Sequence, residues 1–465
     1  MTEQTCTAMN SSTRISTKEI FETWWPLALS WLMITVEQPI LAAAVARSGN
    51  PKIQLAAWGL AFSLAIALAA PSISMLAVST SLSRDRMSYR RGHGYMLWLS
   101  LGLTFVHFIL AFTPAFELVV LGLISAPLEL AEPVRTGFRI LLPLVPSLAL
   151  RRYQYGVLIR CGKTRAVSLG TVTRLLIEVV LAIGLFQFTG LDGVVVASTA
   201  IATGVVYEAI YATIRVRPVV QKNLISMTPG HAPLSWRRFL RFYLPLALTT
   251  LMQMLLQPLV SASLSRMPDS IGSLALWPVL FGVLLVINSA AIGFVEVVIV
   301  HLDQPGSIEA LRRFALRLAI LLALVPLALS LTPLGDLWLI RFAALPADLL
   351  QQAKAALWLV IPLPALTTIS STLQGTLING QRTRGVTEAD AISLATVAIL
   401  LTLGTLLGGR TCLGEGEGIA AVLCGVSGVY IAVVAYTIGS VVRNLWLWRR
   451  SQPVYLSIRL RQARA

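Results

Sequence analysis

The tripeptide Glu37-Gln38-Pro39 carries the clearest chemistry in this chain, because an apolar run surrounds it on both sides. A carboxylate placed inside a run long enough to span a bilayer can bind a cation or exchange a proton. The proline beside it frees a backbone carbonyl that can join such a site. Glu37 is therefore a candidate for coupling H+ or Na+, and Glu296, near the inner end of a later apolar run, is a second. Arg151, Arg152 and Arg174 form another constellation. Guanidinium groups grip carboxylate or phosphate through paired N–H donors, so arginines inside apolar helices point to a small anionic substrate. Plainer roles stand beside these. Arg174 can pair with Glu178 one turn later, and Arg139 can reach the membrane interface. Gln38 and Gln257 each precede a proline and can serve as substrate ligands or as donors that stabilise a kink.

These residues need elements to hold them. The chain has 465 residues, 56% of them hydrophobic and 12% charged, with a mean hydropathy of +0.76. About 20 apolar residues carry a helix across a bilayer. Twelve such runs occur, at roughly 24–46, 55–80, 95–113, 136–159, 168–188, 193–214, 240–264, 271–299, 314–332, 354–378, 388–407 and 418–442. They are apolar on every face, which excludes the alternating pattern of a spanning barrel. Numbered in order, helices 4 and 5 hold all four basic residues that fall inside spans: Arg139, Arg151, Arg152 and Arg174. Glu178 lies in helix 5 and Glu208 near the inner end of helix 6. A cavity richer in arginine than in acid is expected, the reverse of what an extruder of cations needs.

The net charge of +16 is distributed unevenly. With the N-terminus inside, 26 of the 37 Lys and Arg residues fall in inner segments and seven in outer ones. That bias predicts both termini in the cytoplasm, with some attraction to anionic lipid headgroups and no role in nucleic-acid binding. No Gly-x-x-x-x-Gly-Lys-Ser/Thr phosphate loop is present, so ATP hydrolysis is not expected to be the motor. The four cysteines and four histidines are scattered, which indicates neither a disulfide framework nor a metal site. Residues 1–20 lack the pattern of a cleaved signal, so helix 1 is expected to start insertion itself.

The chain is also internally duplicated. Residues 26–47 read PLALSWLMITVEQPILAAAVAR and residues 245–266 read PLALTTLMQMLLQPLVSASLSR, with ten of 22 positions identical at an offset of 219. The register continues through Trp58/Trp277, Pro143/Pro362, Gly156/Gly375 and Arg165/Arg384, and an insertion near 410–418 breaks it. Glu37 corresponds to Leu256, so the carboxylate breaks the symmetry. The expected architecture is an all-α integral membrane protein of twelve transmembrane helices in two parallel-repeat six-helix lobes. Its divisions are a cytoplasmic tail (1–20), a first lobe (21–217), a cytoplasmic linker (218–236), a second lobe (237–442) and a basic cytoplasmic tail (443–465). A monomer in the plasma (inner) membrane is expected.

Glu37-Gln38, the run Leu55-Ala56-Ala57-Trp58-Gly59-Leu60-Ala61-Phe62-Ser63-Leu64, Pro71 and Ser83-Arg84-Asp85-Arg86 resemble the first two helices of the progressive ankylosis protein family. In the second half, Pro245-Leu246-Ala247-Leu248, Pro258-Leu259-Val260, Ser265-Arg266 and Glu296 extend the resemblance. That family is grouped with the multidrug/oligosaccharidyl-lipid/polysaccharide exporters (MATE-like). The resemblance implies twelve helices in two lobes and export of small multivalent anions of the pyrophosphate, citrate or nucleotide class, without enzymatic activity. Gln257 stands where an arginine is expected before Pro258, and the long acidic C-terminal tail of the animal proteins is missing. The alternatives are a MATE-type multidrug antiporter or a flippase for lipid-linked oligosaccharide or polysaccharide.

The charge bias sets a first test. A C-terminal reporter that works only in the cytoplasm should be active; a signal solely from a periplasm-dependent reporter would overturn the topology.

Overall fold

The computed structural model describes residues 16–83, 85–161, 163–224, 234–380, 382, 384–411 and 427–464. Most of the insertion near 410–418 and most of the expected tail before helix 1 lie outside the described residues. Among the described residues the regular structure is helical throughout. Helix 1 comprises Thr17–Thr35 and Glu37–Val45, and helix 2 comprises Pro51–Ile73 and Met75–Leu82. Helix 3 is Arg86–Phe112, and helix 4 comprises Ala131–Ile140 and Leu144–Arg160. Helices 5 and 6 are Thr164–Thr189 and Gly193–Asn223. Helix 7 is Trp236–Leu264, helix 8 comprises Ser270–Ile292 and Phe294–His301, and helix 9 is Ser307–Leu331. Helix 10 comprises Ala347–Val360 and Pro362–Asn379, helix 11 is Arg384–Thr411 and helix 12 is Gly428–Arg464.

Eleven of these rods are long and apolar enough to cross a membrane. The twelfth, helix 4, falls short because Glu132, Arg135, Arg139, Arg151 and Arg152 interrupt its apolar run. Its Arg135 pairs with Glu117, and Arg139 donates to the Ala111 carbonyl at the end of helix 3. The polar helix packs on the apolar helices 2, 3, 5 and 6, and its charges must find partners inside the protein.

The duplication reaches down to backbone details. Short π-helices occupy Leu118–Leu123 and Leu337–Phe342, 219 positions apart. Among the described residues, the four non-glycine residues with positive φ form two pairs at the same offset, Asn50/Asp269 and Ser125/Ala344. Left-handed backbone costs energy for residues with a side chain, so its recurrence marks two copies of one architecture. Gly59 and Pro278, themselves repeat-equivalent, touch where helices 2 and 8 cross, and a methyl on Gly59 would collide with the Pro278 ring. The pseudo-twofold axis passes through this crossing.

At the face away from the termini the lobes are joined by a pair of repeat-equivalent arginines. Arg47 donates to the Ala43 carbonyl of its own helix end at 2.6 Å and across the interface to the Arg341 carbonyl. Arg266 donates to the Ala262 carbonyl at 2.9 Å and across to the Leu123 carbonyl. Cationic donors suit helix C-termini, whose last carbonyls lack intrahelical partners. The Lys52–Asp348 ion pair adds a third link between lobes.

The packing corrects the expected division into lobes. The N-terminal (expected inner) half of helix 1 packs on the second lobe: Ile20 shares a core with Phe294, Val298 and Leu377, and Trp24 donates to the Ala290 carbonyl at 2.9 Å. The N-terminal half of helix 7 packs on the first lobe, with Phe239, Tyr243 and Ala247 against Met75, Met96 and Tyr153. Apolar surface is satisfied by any apolar neighbour, so hydropathy alone does not assign a partner bundle. Two tail boundaries also move. Helix 6 continues past Pro218 to Asn223 into the expected linker. Helix 12 runs through the segment expected to be a basic tail, where the part-buried Arg443 pairs with Asp390 and the exposed Arg450 pairs with Glu388, both of helix 11.

Helix 1 has a one-residue break in its regular pattern at Val36, which keeps right-handed helical angles, donates to the Leu32 carbonyl and accepts from the Ile40 amide; its counterpart helix 7 is regular throughout. Both contain the repeat-equivalent prolines Pro39 and Pro258, so proline alone does not cause the break. The residues around it differ at four successive positions, Ile34/Gln253, Thr35/Met254, Val36/Leu255 and Glu37/Leu256.

The crossing can be tested directly. Gly59→Val should destabilise the protein by about 1–3 kcal/mol through overpacking, seen as a lower Tm in detergent. Gly102→Val in helix 3, where nothing lies within 4 Å, should leave Tm nearly unchanged; equal losses would contradict a packed crossing at Gly59.

Candidate functional site

Glu37 is the first residue after the break in helix 1 and is buried. Its side chain reaches helix 5, where Glu37 Oε2 accepts from Arg174 Nη2 at 2.6 Å. Arg174 Nη1 donates to Glu178 Oε1 at 2.7 Å, and Arg174 Nε lies 3.0 Å from Glu208 Oε2 of helix 6. One guanidinium therefore gathers carboxylates from helices 1, 5 and 6. A charge in the interior is costly unless it is paired and hydrogen-bonded, and this arrangement supplies both.

Glu208 is the second hub, and it is fully buried. Arg151 Nη1 of helix 4 donates to Oε2. Tyr155 Oη donates to Oε1 at 2.9 Å, and Thr171 Oγ1 donates to the same oxygen at 3.1 Å. Gly204 is required beside this cluster, since a methyl there would overlap the Glu178 carboxylate. Three arginines and three glutamates thus meet at the centre of the first lobe.

This alters the arginine-rich cavity expected from the sequence. Glu37, Glu178 and Glu208 match Arg151, Arg152 and Arg174 one for one, because chain-distant helices 1, 5 and 6 converge on helix 4. Arg151 is committed to Glu208, so it is an internal counter-ion. Arg152, its neighbour, borders the same cluster: its Nε, like those of Arg151 and Arg174, is buried without a hydrogen-bond partner, but no acid lies within ion-pair distance of Arg152 among the described residues. Of the three arginines, Arg152 is the one without an ion pair among the described residues.

The remaining candidates are not drawn into this cluster. Gln257 accepts from the indole of Trp277 at 2.9 Å, which ties helix 7 to helix 8. Gln38 is half-buried beside Glu37. Glu296 is exposed on helix 8, where it faces Trp31 of helix 1.

Against known structures, the fold is recognisable over nearly the whole chain. It is similar to an inward-facing multidrug resistance MATE family transporter of the MOP superfamily, with a TM-score of 0.69 and 18% identity over 92% of this chain and 99% of that one. It is similar to the lipid II flippase MurJ in an inward closed conformation, with a TM-score of 0.66 and 13% identity over 94% of this chain and 90% of that one. A MOP superfamily transporter from Pyrococcus furiosus, described as having a binding pocket of reversed polarity, matches with a TM-score of 0.59 and 17% identity over 95% and 97% of the two chains. No family model matches the chain, and no curated protein does. The fold is MATE-like.

Sequence reasoning left Tyr155 and Thr171 unremarked and placed Glu208 merely near a helix end. The available signal was the helical spacing of Arg151 and Tyr155, which puts both on one face of helix 4.

The ion network generates a stability test. Arg174→Ala should cost about 3–5 kcal/mol, because it strands buried carboxylates, and should lower Tm strongly. Arg152→Ala, which strands nothing, should shift Tm little. The reverse order would contradict the pairing described here.

Proposed function

We propose that this protein is a secondary transporter of the plasma (inner) membrane that works by alternating access between its two lobes. The observation that carries this reading is the placement of helix 1 between the two lobes. The inner half of that helix lies on the second lobe, while Glu37 is anchored to Arg174 in the first. One helix thus spans both bodies that must move, and its carboxylate sits at the joint. Binding of H+ or Na+ at Glu37 removes or screens the charge that holds Arg174, and so couples an ion gradient to movement of helix 1. Glu178 has an oxygen without a hydrogen-bond partner and stands ready to take up the freed guanidinium.

The substrate in this reading is a small anion, of the pyrophosphate, citrate or nucleotide class, held by Arg152. Both termini face the cytoplasm, and the monomer is the working unit. The shut outer face, with its Arg47 and Arg266 bridges, then corresponds to a state open toward the cytoplasm. A second reading is a MATE-type multidrug antiporter or a flippase for lipid-linked oligosaccharide. The balance of three glutamates against three arginines favours it, since such a cluster has no net positive charge when all six are ionised.

The test is gradient-driven transport in proteoliposomes. Glu37→Gln should abolish dependence on the pH or sodium gradient, because an amide neither releases a proton nor neutralises a cation, while Leu256→Ile at the repeat position should transport normally. Arg152→Ala should abolish transport of pyrophosphate or citrate. Retained gradient dependence in Glu37→Gln would make that residue structural, and anion transport unaffected by Arg152→Ala would favour the second reading.

A further inference from the structure

Past the insertion, helices 6 and 12 resume the repeat at an offset of 235, which aligns Gly193 with Gly428, Gly204 with Gly439, Arg215 with Arg450 and Pro218 with Pro453. In that register Glu208 corresponds to Arg443. Helices 4/10 and 5/11 keep the offset of 219, so Arg151, Tyr155 and Thr171 correspond to Ser370, Gln374 and Asp390. The second set meets around Arg443 as the first meets around Glu208. Arg443 Nε donates to Asp390 Oδ1 at 2.7 Å, and Nη1 donates to Ser370 Oγ at 3.1 Å. Gln374, with its amide oxygen turned to the guanidinium, accepts from Nη1 at 3.2 Å and from Nη2.

Every role is reversed between the lobes. An acid hub served by Arg, Tyr and Thr donors becomes a cationic hub served by Ser, Gln and Asp acceptors. Even the helix crossing is retained: Gln253 of helix 7 donates to Asp390 Oδ2 at 2.8 Å, as helix 1 meets helix 5 through Glu37. One difference is functional. The Glu208 side chain has no exposure, whereas 23% of the Arg443 side chain is exposed.

Arg443 meets its acid through Nε alone. Its Nη1–Nη2 edge, the fork that matches two oxygens of a carboxylate or phosphate, is held by a neutral amide oxygen and a hydroxyl. An oxyanion displaces the Gln374 amide oxygen from that fork at small cost and gains a charge-assisted pair. We propose that Arg443, with Gln374 and Ser370, forms an anion site in the second lobe for a small carboxylate- or phosphate-bearing substrate, with Asp390 fixing the guanidinium. The inference rests on the anionic-substrate reading and adds a site distinct from Arg152.

Calorimetric titration of the full chain in nanodiscs tests it, with inorganic pyrophosphate and citrate as separate probes. Gln374→Glu places a permanent carboxylate at the fork without removing an ion pair, so the fold should persist with an unchanged or higher Tm. That variant and Arg443→Gln should each bind the favoured anion about 10- to 100-fold more weakly, the usual effect of losing a hydrogen bond to a charged group. Binding to pyrophosphate alone would name a phosphate site, and to citrate alone a carboxylate site. Unchanged binding in Gln374→Glu with loss in Arg152→Ala would overturn the second-lobe site and leave the first-lobe reading intact. No binding of either anion to the wild type would overturn both.

Discussion

A guanidinium in the middle of a membrane protein must be surrounded by acceptors, and the rest of this structure follows from how Arg174 meets that demand. Its partners come from three helices: Glu37 from helix 1, Glu178 from helix 5 and Glu208 from helix 6. Burying two opposite charges is costly on its own, but leaving one of them unpaired is far costlier. Helix 1 is therefore held at its midpoint whatever its two halves do. Its outer half stays with the first lobe, and its inner half is free to lie on the second. The break at Val36 is where those two allegiances meet.

The duplication sets the background on which this asymmetry stands out. Positive-φ residues, π-helices, the outer arginines and the Gly59/Pro278 contact all obey the repeat. The polar centres obey it in position and violate it in sign, with Glu208 facing Arg443. Inverting a buried polar centre requires its neighbours to invert together, because a lone reversal leaves like charges or unmatched donors in contact. Tyr155 to Gln374 and Thr171 to Asp390 are the accompanying changes. Glu37 to Leu256 has no such compensation in its own helix.

Much of this was legible in the sequence, for definite reasons. Long apolar runs place helices without reference to tertiary contacts, so the rods and their duplication were readable. Glu37 and Arg174 stood out because a charge inside an apolar run has few explanations. Their partnership was not readable, since residues 137 positions apart meet only through packing. Arg443 was read as the start of a tail because the apolar run ends there, while in the structure Asp390 draws it inside. The exchange of helix halves between lobes left no trace in hydropathy, because Trp24 and Tyr243 find equally apolar surroundings in either bundle.

The account stands on the link between Glu37 and Arg174, and a double-mutant cycle measures that link most directly. Thermal unfolding in detergent would be compared for the wild type, Glu37→Gln, Arg174→Gln and the double variant. The account expects strong non-additivity, with the double variant more stable than the summed single effects by at least about 1 kcal/mol, as for residues sharing one ion network. Effects that add to within about 0.5 kcal/mol, the behaviour of independent sites, would contradict it.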